Sequence, residues 1–303
     1  MNGRPRVSIG LPVFNGERFV AEAIDSILAQ TFEDFELIIS DNASTDGTEE
    51  ICRRYAEKDE RIRFVRNREN YGAAFNFNQT FHLSSGGYFK WVAHDDLLSP
   101  EFLQQCVDVL DRDASVVLAY PGWMAIDEDG QRLDRGYVTW DVTSVDVVDR
   151  FRRTMAMDSR GGGPIWGLIR SEVLMRTRLQ PPYPHGDHVL LAELSLYGRF
   201  LEIEAPLFQH RWHPGRYVLS SSRRRMAEWW RPTHREETTL GPLNIIRVLV
   251  VPVGQWVAGY VSSIHRAAID PKAKTRCYLE VVRFAVAKLR TKTVRIMTDG
   301  KSS

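Results

Sequence analysis

Cysteine is scarce: Cys52, Cys106 and Cys277 are the only three in 303 residues, too scattered for a CxxC metal pair or a disulfide framework. A reducing compartment is the simplest setting for such a chain. A dominant charge is also missing. The 40 Lys and Arg nearly balance the 39 Asp and Glu, so a formal net charge of +1 gives no whole-molecule pull toward nucleic acid. Internal repeats are absent. The N-terminal stretch MNGRPRVSIGLPVF alternates like a strand where a signal peptide would carry an unbroken apolar region, and the body of the chain is expected to stay in the cytosol. Phosphate-cradling glycine loops are lacking too. The turn after the first expected strand reads VFNGER, without the GxGxxG of a dinucleotide fold, and neither a Walker lysine loop nor a Gly-x-Ser-x-Gly elbow occurs.

What is present is a chain with 43% hydrophobic residues, enough to bury a full core in one large domain plus an appendage. Residues 7–14 read as a buried strand, and 16–30 sets Phe19, Ala23, Ile27 and Leu28 at helical spacing. Strands over 35–40, 62–65, 88–93 and 116–120 then alternate with helices over 47–58, 73–83 and 100–110. The last of these helices has Ser99 as N-cap and Pro100 at its first position. Repeated β-α-β units of this length predict an α/β fold with a mainly parallel sheet, helices on both faces and ligands at the carboxyl ends of the strands. Further on, DEDG at 127–130 predicts a hairpin, 161–164 a flexible break, 187–197 a helix and 200–208 a strand.

Acidic side chains fall at two such strand ends: Asp41 after the second strand, and Asp95 with Asp96 after the fourth, in WVAHDDLLSP. Adjacent carboxylates repel and lose hydration, so the pair is stable when a cation, donor groups or water takes up its charge. A divalent ion shared with a departing diphosphate would use such ligands. A plainer reading has the pair end a strand and cap the next helix, and has Asp41 hydrogen-bond its own turn, NASTDGT.

The runs PVFNGERFVAEAIDSILAQTFEDFELIISDNASTDGT, RNRENYGAAFNFN and GGYFKWVAHDDLLSPEFL, in this order and spacing, resemble a glycosyltransferase of family 2, over roughly residues 5–215. The resemblance implies a GT-A nucleotide-sugar fold and transfer of a sugar from a nucleoside diphosphate donor to an acceptor hydroxyl, with inversion and with Mg²⁺ or Mn²⁺ as cofactor. It divides the chain into a donor-binding half at 1–120, an acceptor and catalytic-base half at 121–222, and a basic helical appendage at 223–303.

By position, the resemblance puts Pro12 and Phe14 in the nucleotide pocket, Glu17 near the base or ribose, and Asp41 on the base. Asn70 and Gly72 fall in the loop under the donor and Asn78 on the helix that follows. Asp96 becomes the metal ligand and Asp95 the ribose contact, or the two exchange. Asp187, in PPYPHGDHVLLAELSLYGRF, matches a helix-opening carboxylate that accepts the acceptor's proton; an N-cap is its plain role, and His185 and His188 are alternative bases. Arg211 and His213, in LFQHRWHPGRY, match an Arg-x-His arrangement at the leaving diphosphate. Phe208, three residues before Arg211, departs from the Gln-x-x-Arg-Trp of processive synthases. Trp123 and Trp166 belong either to a sugar-stacking surface or to the core.

Two departures from the family pattern stand out. Ala93 replaces the first acid of the common Asp-x-Asp-Asp, and DNAS replaces the common DDGS. The missing acid leaves open a nucleotide-sugar or glycan-binding protein without turnover. A sugar-nucleotide nucleotidyltransferase would want a basic, Gly-rich first loop, which VFNGER is not. An acceptor among cell-surface glycans or lipid-linked precursors follows from the resemblance alone.

Residues 248–264 carry no formal charge, yet the stretch is short for a membrane span and holds Pro252, Gly254 and Gln255. From 265 to 303, ten Lys or Arg face three acids. The expectation is a helix that packs on the enzyme, or a segment, 243–303, that lies on the anionic inner face of a membrane while the protein is otherwise cytoplasmic.

Overall fold

The computed structural model describes residues 4–135, 139–157, 163–215 and 244–299, without the side chains of 244–252 and 291–299. The domain boundary expected at 222/223 and the glycines at 161 and 162 lie outside the described residues.

Strand β1 (Val7–Val13) is buried at every position, because it is central in the sheet and covered on both faces. Helix α1 (Val20–Leu28) buries Val20, Ala23, Ile24 and Ile27, the i, i+3, i+4, i+7 stripe of a surface helix. The units β2 (Phe35–Asp41), α2 (Thr48–Ala56), β3 (Ile62–Arg66), α3 (Ala73–His82) and β4 (Tyr88–Trp91) follow in expected order. They form the parallel block β3-β2-β1-β4.

Beyond β4 the sheet is mixed. Strand β8 (Leu168–Arg170) runs antiparallel to β4 and to β6 (Val116–Ile126), which pairs in parallel with β9 (Arg199–Arg211). Strand β5 (Leu97–Leu98) adds antiparallel to β9, and β7 (Arg132–Leu133) closes the expected hairpin on β6. The mainly parallel sheet predicted from the β-α-β rhythm holds for the first half and for the long β6/β9 pair, with short antiparallel strands added beside them. Strands of two or three residues such as β5, β7 and β8 carry too little alternation to be read in advance. The long β6/β9 pair has register shifts around Pro121 and Gly122, where proline offers no N–H to the ladder.

Ser99 is a correction. Helix α4 is Phe102–Arg112, with Glu101 at the cap position and no side-chain cap bond. Pairing of Leu97–Leu98 with β9 keeps Ser99 extended: its N–H donates to Leu207 O at 2.9 Å, and its own carbonyl accepts Gln30 Nε2 at 2.8 Å.

The remaining helices are α5 (Val147–Met155), the short α6 (Ser171–Leu174), α7 (Gly186–Ser195), α8 (Asn244–Arg266) and α9 (Pro271–Asp299), with a 3₁₀ turn at Pro164–Trp166. Asp146 caps α5, accepting from Val148 N and Asp149 N. Helices α8 and α9 dock on α5 and α7 through Phe151, Val189, Ala192, Tyr260, Ile264 and Val281. Among the described residues no helix is long and apolar enough to cross a membrane.

Candidate active site

Strands β2, β1 and β4 are parallel neighbours, so their carboxyl ends share one edge: Val13 pairs with Asp41, and Gly10 with Trp91. The loops at 14–19, 42–47, 67–72 and 92–96 form one rim there, where such a sheet takes its ligand. Hydrogen bonds lace these loops together. Asn15 donates its N–H to Ser44 Oγ and accepts from Thr45 N through Oδ1, both at 2.8 Å, and Gly16 N donates to Thr48 Oγ1 at 2.8 Å. A Cβ on Gly16 would lie 2.6 Å from His94 Cδ2, so the absence of a side chain is what lets the first loop close on the acidic one.

Pro12 is buried within β1, and Phe14 stands 40% exposed on the rim. Glu17 is turned along the rim, its Oε2 accepting Gly47 N at 2.7 Å. Asp41 is fully buried. Its Oδ1 accepts the Ser44 N–H at 2.9 Å, and its Oδ2 pairs with the Arg66 guanidinium, which also donates to Ser44 O at 2.9 Å. That is the turn-holding arrangement. The group this corner shows to solvent is Arg66, which sequence reading missed because an arginine at a strand end fits many roles.

Asn70 and Gly72 belong to a chain of amides. Asn70 Oδ1 accepts from Asn42 Nδ2 at 2.7 Å and from Gly72 N at 2.8 Å, and Asn42 Oδ1 accepts from Asn67 Nδ2 at 2.9 Å. Asn76 accepts the Ser40 hydroxyl at 2.6 Å and donates to Ser40 O at 2.8 Å. Gly72 sits at φ 83°, a conformation glycine adopts without strain. A satisfied buried network of this kind fixes the loop that opens α3. Asn42, Asn67 and Asn76 carry no motif of their own; only their convergence in space reveals them.

Asn78, expected beside the donor, faces elsewhere. Its Nδ2 donates to Gln180 O and its Oδ1 accepts Gln180 N, both at 2.9 Å, so it fastens α3 to the segment leading into α7. The amide offers one donor and one acceptor side by side and imitates a strand partner.

The acidic pair divides. Asp96 is 1% exposed; its Oδ1 accepts Arg211 N at 2.9 Å and lies 3.1 Å from His210 Nδ1. Asp95 keeps part of its carboxylate in solvent, and its Oδ2 lies 2.9 Å from His213 Nε2. Of the two expected ligands, Asp95 has the more open carboxylate, its side chain 14% exposed against 2% for Asp96.

Arg211, expected at a departing diphosphate, is fully buried. Its Nε donates to Asp95 O at 2.9 Å, Nη1 to Glu128 O at 2.8 Å and Nη2 to Glu22 Oε2 at 2.6 Å. The guanidinium holds Asp95 from behind. Phe19 packs between the two β9-end residues, 4.7 Å from the Arg211 guanidinium and 4.9 Å from the His213 ring.

Asp187 is the second residue of α7, whose cap position is His185 in the left-handed region at φ 60° with no side-chain cap bond. The plain capping role for Asp187 falls away. His185 meets His188 edge-on at 5.8 Å and Trp256 at 5.6 Å. Burial holds the His185 imidazole below its ordinary pKa; Asp187 opposes that shift, while His188 and Lys288 add to it. Trp123 and Trp166 serve the core: Trp123 packs edge-on to His210 at 5.7 Å, and Trp166 stacks on Phe208 at 6.1 Å.

Lys90 went unnoticed in the sequence. It is fully buried on β4, donates Nζ–H to Trp166 O at 2.5 Å and lies 4.1 Å from the Phe102 ring centre. Burial brings its pKa down to about 7 and pushes that of the neighbouring Cys106 thiol up to about 12.

One carboxylate oxygen and one imidazole nitrogen meeting at a half-open spot suit a divalent ion that draws its other ligands from phosphate and water. Among the described residues no cluster of three or more His, Cys, Asp or Glu offers a complete protein cage.

A family model, Glycosyl transferase family 2, matches residues 8–162. The putative glycosyltransferase EpsE of Bacillus subtilis is 36% identical over 133 residues, 44% of this chain and 48% of that protein. The putative teichuronic acid biosynthesis glycosyltransferase TuaG of the same organism is 31% identical over 134 residues, 44% of this chain and 53% of that one. The chain spans about half or less of the length of these and other curated relatives it matches. Among solved structures, Staphylococcus aureus TarS 1-349 in complex with UDP-GlcNAc superposes with a TM-score of 0.58 at 16% identity, covering 93% of this chain and 88% of that one. The mannosyltransferase PcManGT from Pyrobaculum calidifontis, in complex with GDP-Man and Mn²⁺, gives 0.53 at 16% identity over 99% and 81%.

Proposed function

The chain belongs to glycosyl transferase family 2, with a GT-A fold, and from that premise we propose that it moves a sugar from a nucleoside diphosphate donor to an acceptor hydroxyl, inverting the anomeric carbon. The observation that carries this reading is the meeting of Asp95 and His213 at 2.9 Å on the strand-end rim. Mg²⁺ or Mn²⁺ held by these two side chains would supply Lewis acidity to the departing diphosphate. Asp96 and Arg211 position Asp95 from the protein side, one through the β9 backbone and the other through the Asp95 carbonyl. Phe14 offers an exposed ring to the donor base, and Arg66, held by Asp41, faces the same corner. Pro12, Glu17, Asn70 and Gly72 keep the donor loops in shape.

Asp187, at the first turn of α7, accepts the proton of the attacking hydroxyl in this scheme. Direct displacement on the far side of the sugar then inverts it. The donors named for TarS and PcManGT, UDP-GlcNAc and GDP-Man, support a nucleotide sugar here, and the Mn²⁺ of PcManGT supports a divalent ion. TuaG's naming supports a role in cell-surface polysaccharide synthesis. A glycan or lipid-linked acceptor at the inner membrane face is supported by α9, which presents Leu279, Val282, Val286 and Leu289 to solvent on one side.

The test is a thermal-shift panel of UDP-, GDP-, dTDP- and CDP-sugars with and without Mn²⁺ or Mg²⁺. One nucleotide should stabilise the wild type only with metal, fail to do so with His213→Ala or Asp95→Asn, and still stabilise Asp187→Asn, which should lose at least a hundredfold in turnover. Stabilisation by no donor, or full turnover by Asp187→Asn, would overturn the reading.

A further inference from the structure

Helices α8 and α9 close against α5 and α7 in register. Trp256 Nε1 donates to Pro184 O at 3.1 Å, and Arg178 Nη2 donates to Gly259 O at 2.9 Å. A Cβ on Gly259 would lie 2.7 Å from Val189 Cγ1 and 2.8 Å from Tyr183 Oη, so a glycine is needed for this approach. Yet the packing leaves a cavity of about 370 Å³ between the end of α5, the start of α7 and the two C-terminal helices. That volume lies in the range of small-molecule sites, on the order of a dozen waters.

The lining changes character with depth. Met155, Met157 and Tyr260 are buried and form an apolar floor, while Trp256 and Phe284 are half-buried. Exposed Lys288 and Ala156 mark the mouth. The two remaining lining groups, His185 and His188, flank Asp187 on the first turn of α7, so the cavity adjoins the proposed base.

What fits is set by three features. The aromatic rings are already engaged edge-on, His185 with Trp256 at 5.6 Å and Tyr260 with Phe284 at 5.4 Å, so they are poor platforms for stacking a sugar. The two methionines adapt to a flexible apolar chain. Lys288 has no carboxylate partner among the described residues; its Nζ lies 5.4 Å from the Phe284 ring centre, at the mouth of the cavity. An apolar floor under an uncompensated cation calls for a ligand with a hydrocarbon end and an anionic end.

We propose that this cavity binds a phosphorylated amphiphile, with its apolar chain between Met157, Trp256 and Phe284 and its phosphate at Lys288. Its role as an acceptor subsite rests on the glycosyltransferase reading; the binding itself does not. The helical appendage then completes the acceptor side of the enzyme.

Titration calorimetry of the full chain with octyl phosphate, octanol and inorganic phosphate tests this. Octyl phosphate should bind at least tenfold tighter than either of the others. Lys288→Ala should bring octyl phosphate down to the level of octanol. Ala156→Trp, a substitution at an exposed position on the mouth, should block both octyl ligands while the melting temperature shows the fold intact. Equal binding of octyl phosphate to wild type and Ala156→Trp would overturn the proposal. So would inorganic phosphate binding as tightly as octyl phosphate, or no octyl phosphate binding by protein that still binds its nucleotide donor. Octyl phosphate binding as expected in protein that binds no nucleotide sugar would uphold the cavity and sink the glycosyltransferase reading.

Discussion

A single buried amine makes the stability of this protein depend on pH. Lys90, with its pKa near 7, is largely neutral in the native state above that pH, whereas in the unfolded chain it stays protonated up to about 10.5. Between those values the unfolded state holds the extra proton, so stability should rise with pH, by at most about 1.4 kcal/mol per unit. Cys106 acts in the opposite sense, but only above about pH 9, where unfolded thiols ionise while burial keeps the native one protonated. Urea denaturation of wild type and Lys90→Met at pH 7.5 and 9.0 isolates the amine. Lys90→Met should lose the rise and, with Cys52, Cys106 and Cys277 buried as thiols, fall slightly toward pH 9; a slope equal to that of the wild type would show that another group carries the dependence. At the same scale, legibility followed exposure. Asp95, Asp187 and His213 stood in readable motifs. Asp96 and Arg211 stood in the same motifs yet face inward, because burial depends on β9 crossing behind them, and no local pattern announces that crossing.

Elements were legible where period and length were generous. The alternation from β1 to β4, and then α4, could be read in order: β1 is buried throughout, α1 and α4 bury clear stripes, and the short β5 between β4 and α4 is the exception. Ser99 misled because capping chemistry and an edge-strand pairing compete for one residue, and the pairing with β9 won. Helix α9 is a different case, carrying two apolar faces. Cys277 and Val281 are buried, while Leu279, Val282, Val286 and Leu289, spaced by three and four residues, are between 42% and 60% exposed. Arg276, Arg283 and Arg290 recur every seven residues along the same helix, Arg276 pairing with Asp146 at 3.3 Å and Arg283 with Glu280 at 2.6 Å, and basic residues near an apolar face suit a helix lying on anionic lipid. The double variant Val282→Glu, Val286→Glu should lose most of its flotation with phosphatidylserine vesicles and, being exposed, change stability by less than about 0.5 kcal/mol per site. Equal flotation of variant and wild type would remove the outer face from the account.

The whole molecule should unfold as one unit. Asn78 joins α3 to the segment before α7, and the cluster around Tyr260 joins α7 to α8 and α9, so neither part can open without exposing apolar surface or unpaired amides. Fluorescence and circular dichroism should give coincident urea transitions, and two separate transitions would contradict this. Asn78→Ala should lower stability by about 1–3 kcal/mol, the cost of leaving the buried backbone groups of Gln180 without partners.

The span between the two proposed ion-holding residues also matters during synthesis. Asp95 and His213 are 118 positions apart, and Arg211, which braces Asp95, arrives two residues before His213. A nascent chain emerging from the ribosome has the rim loops at 14–19 and 42–47 long before it has both proposed ion-holding residues. On that proposal it should be unable to hold donor through an ion until β9 has been delivered and zipped into the sheet. Acquisition of metal-dependent donor affinity would then time the closure of the sheet, ahead of the docking of α8 and α9.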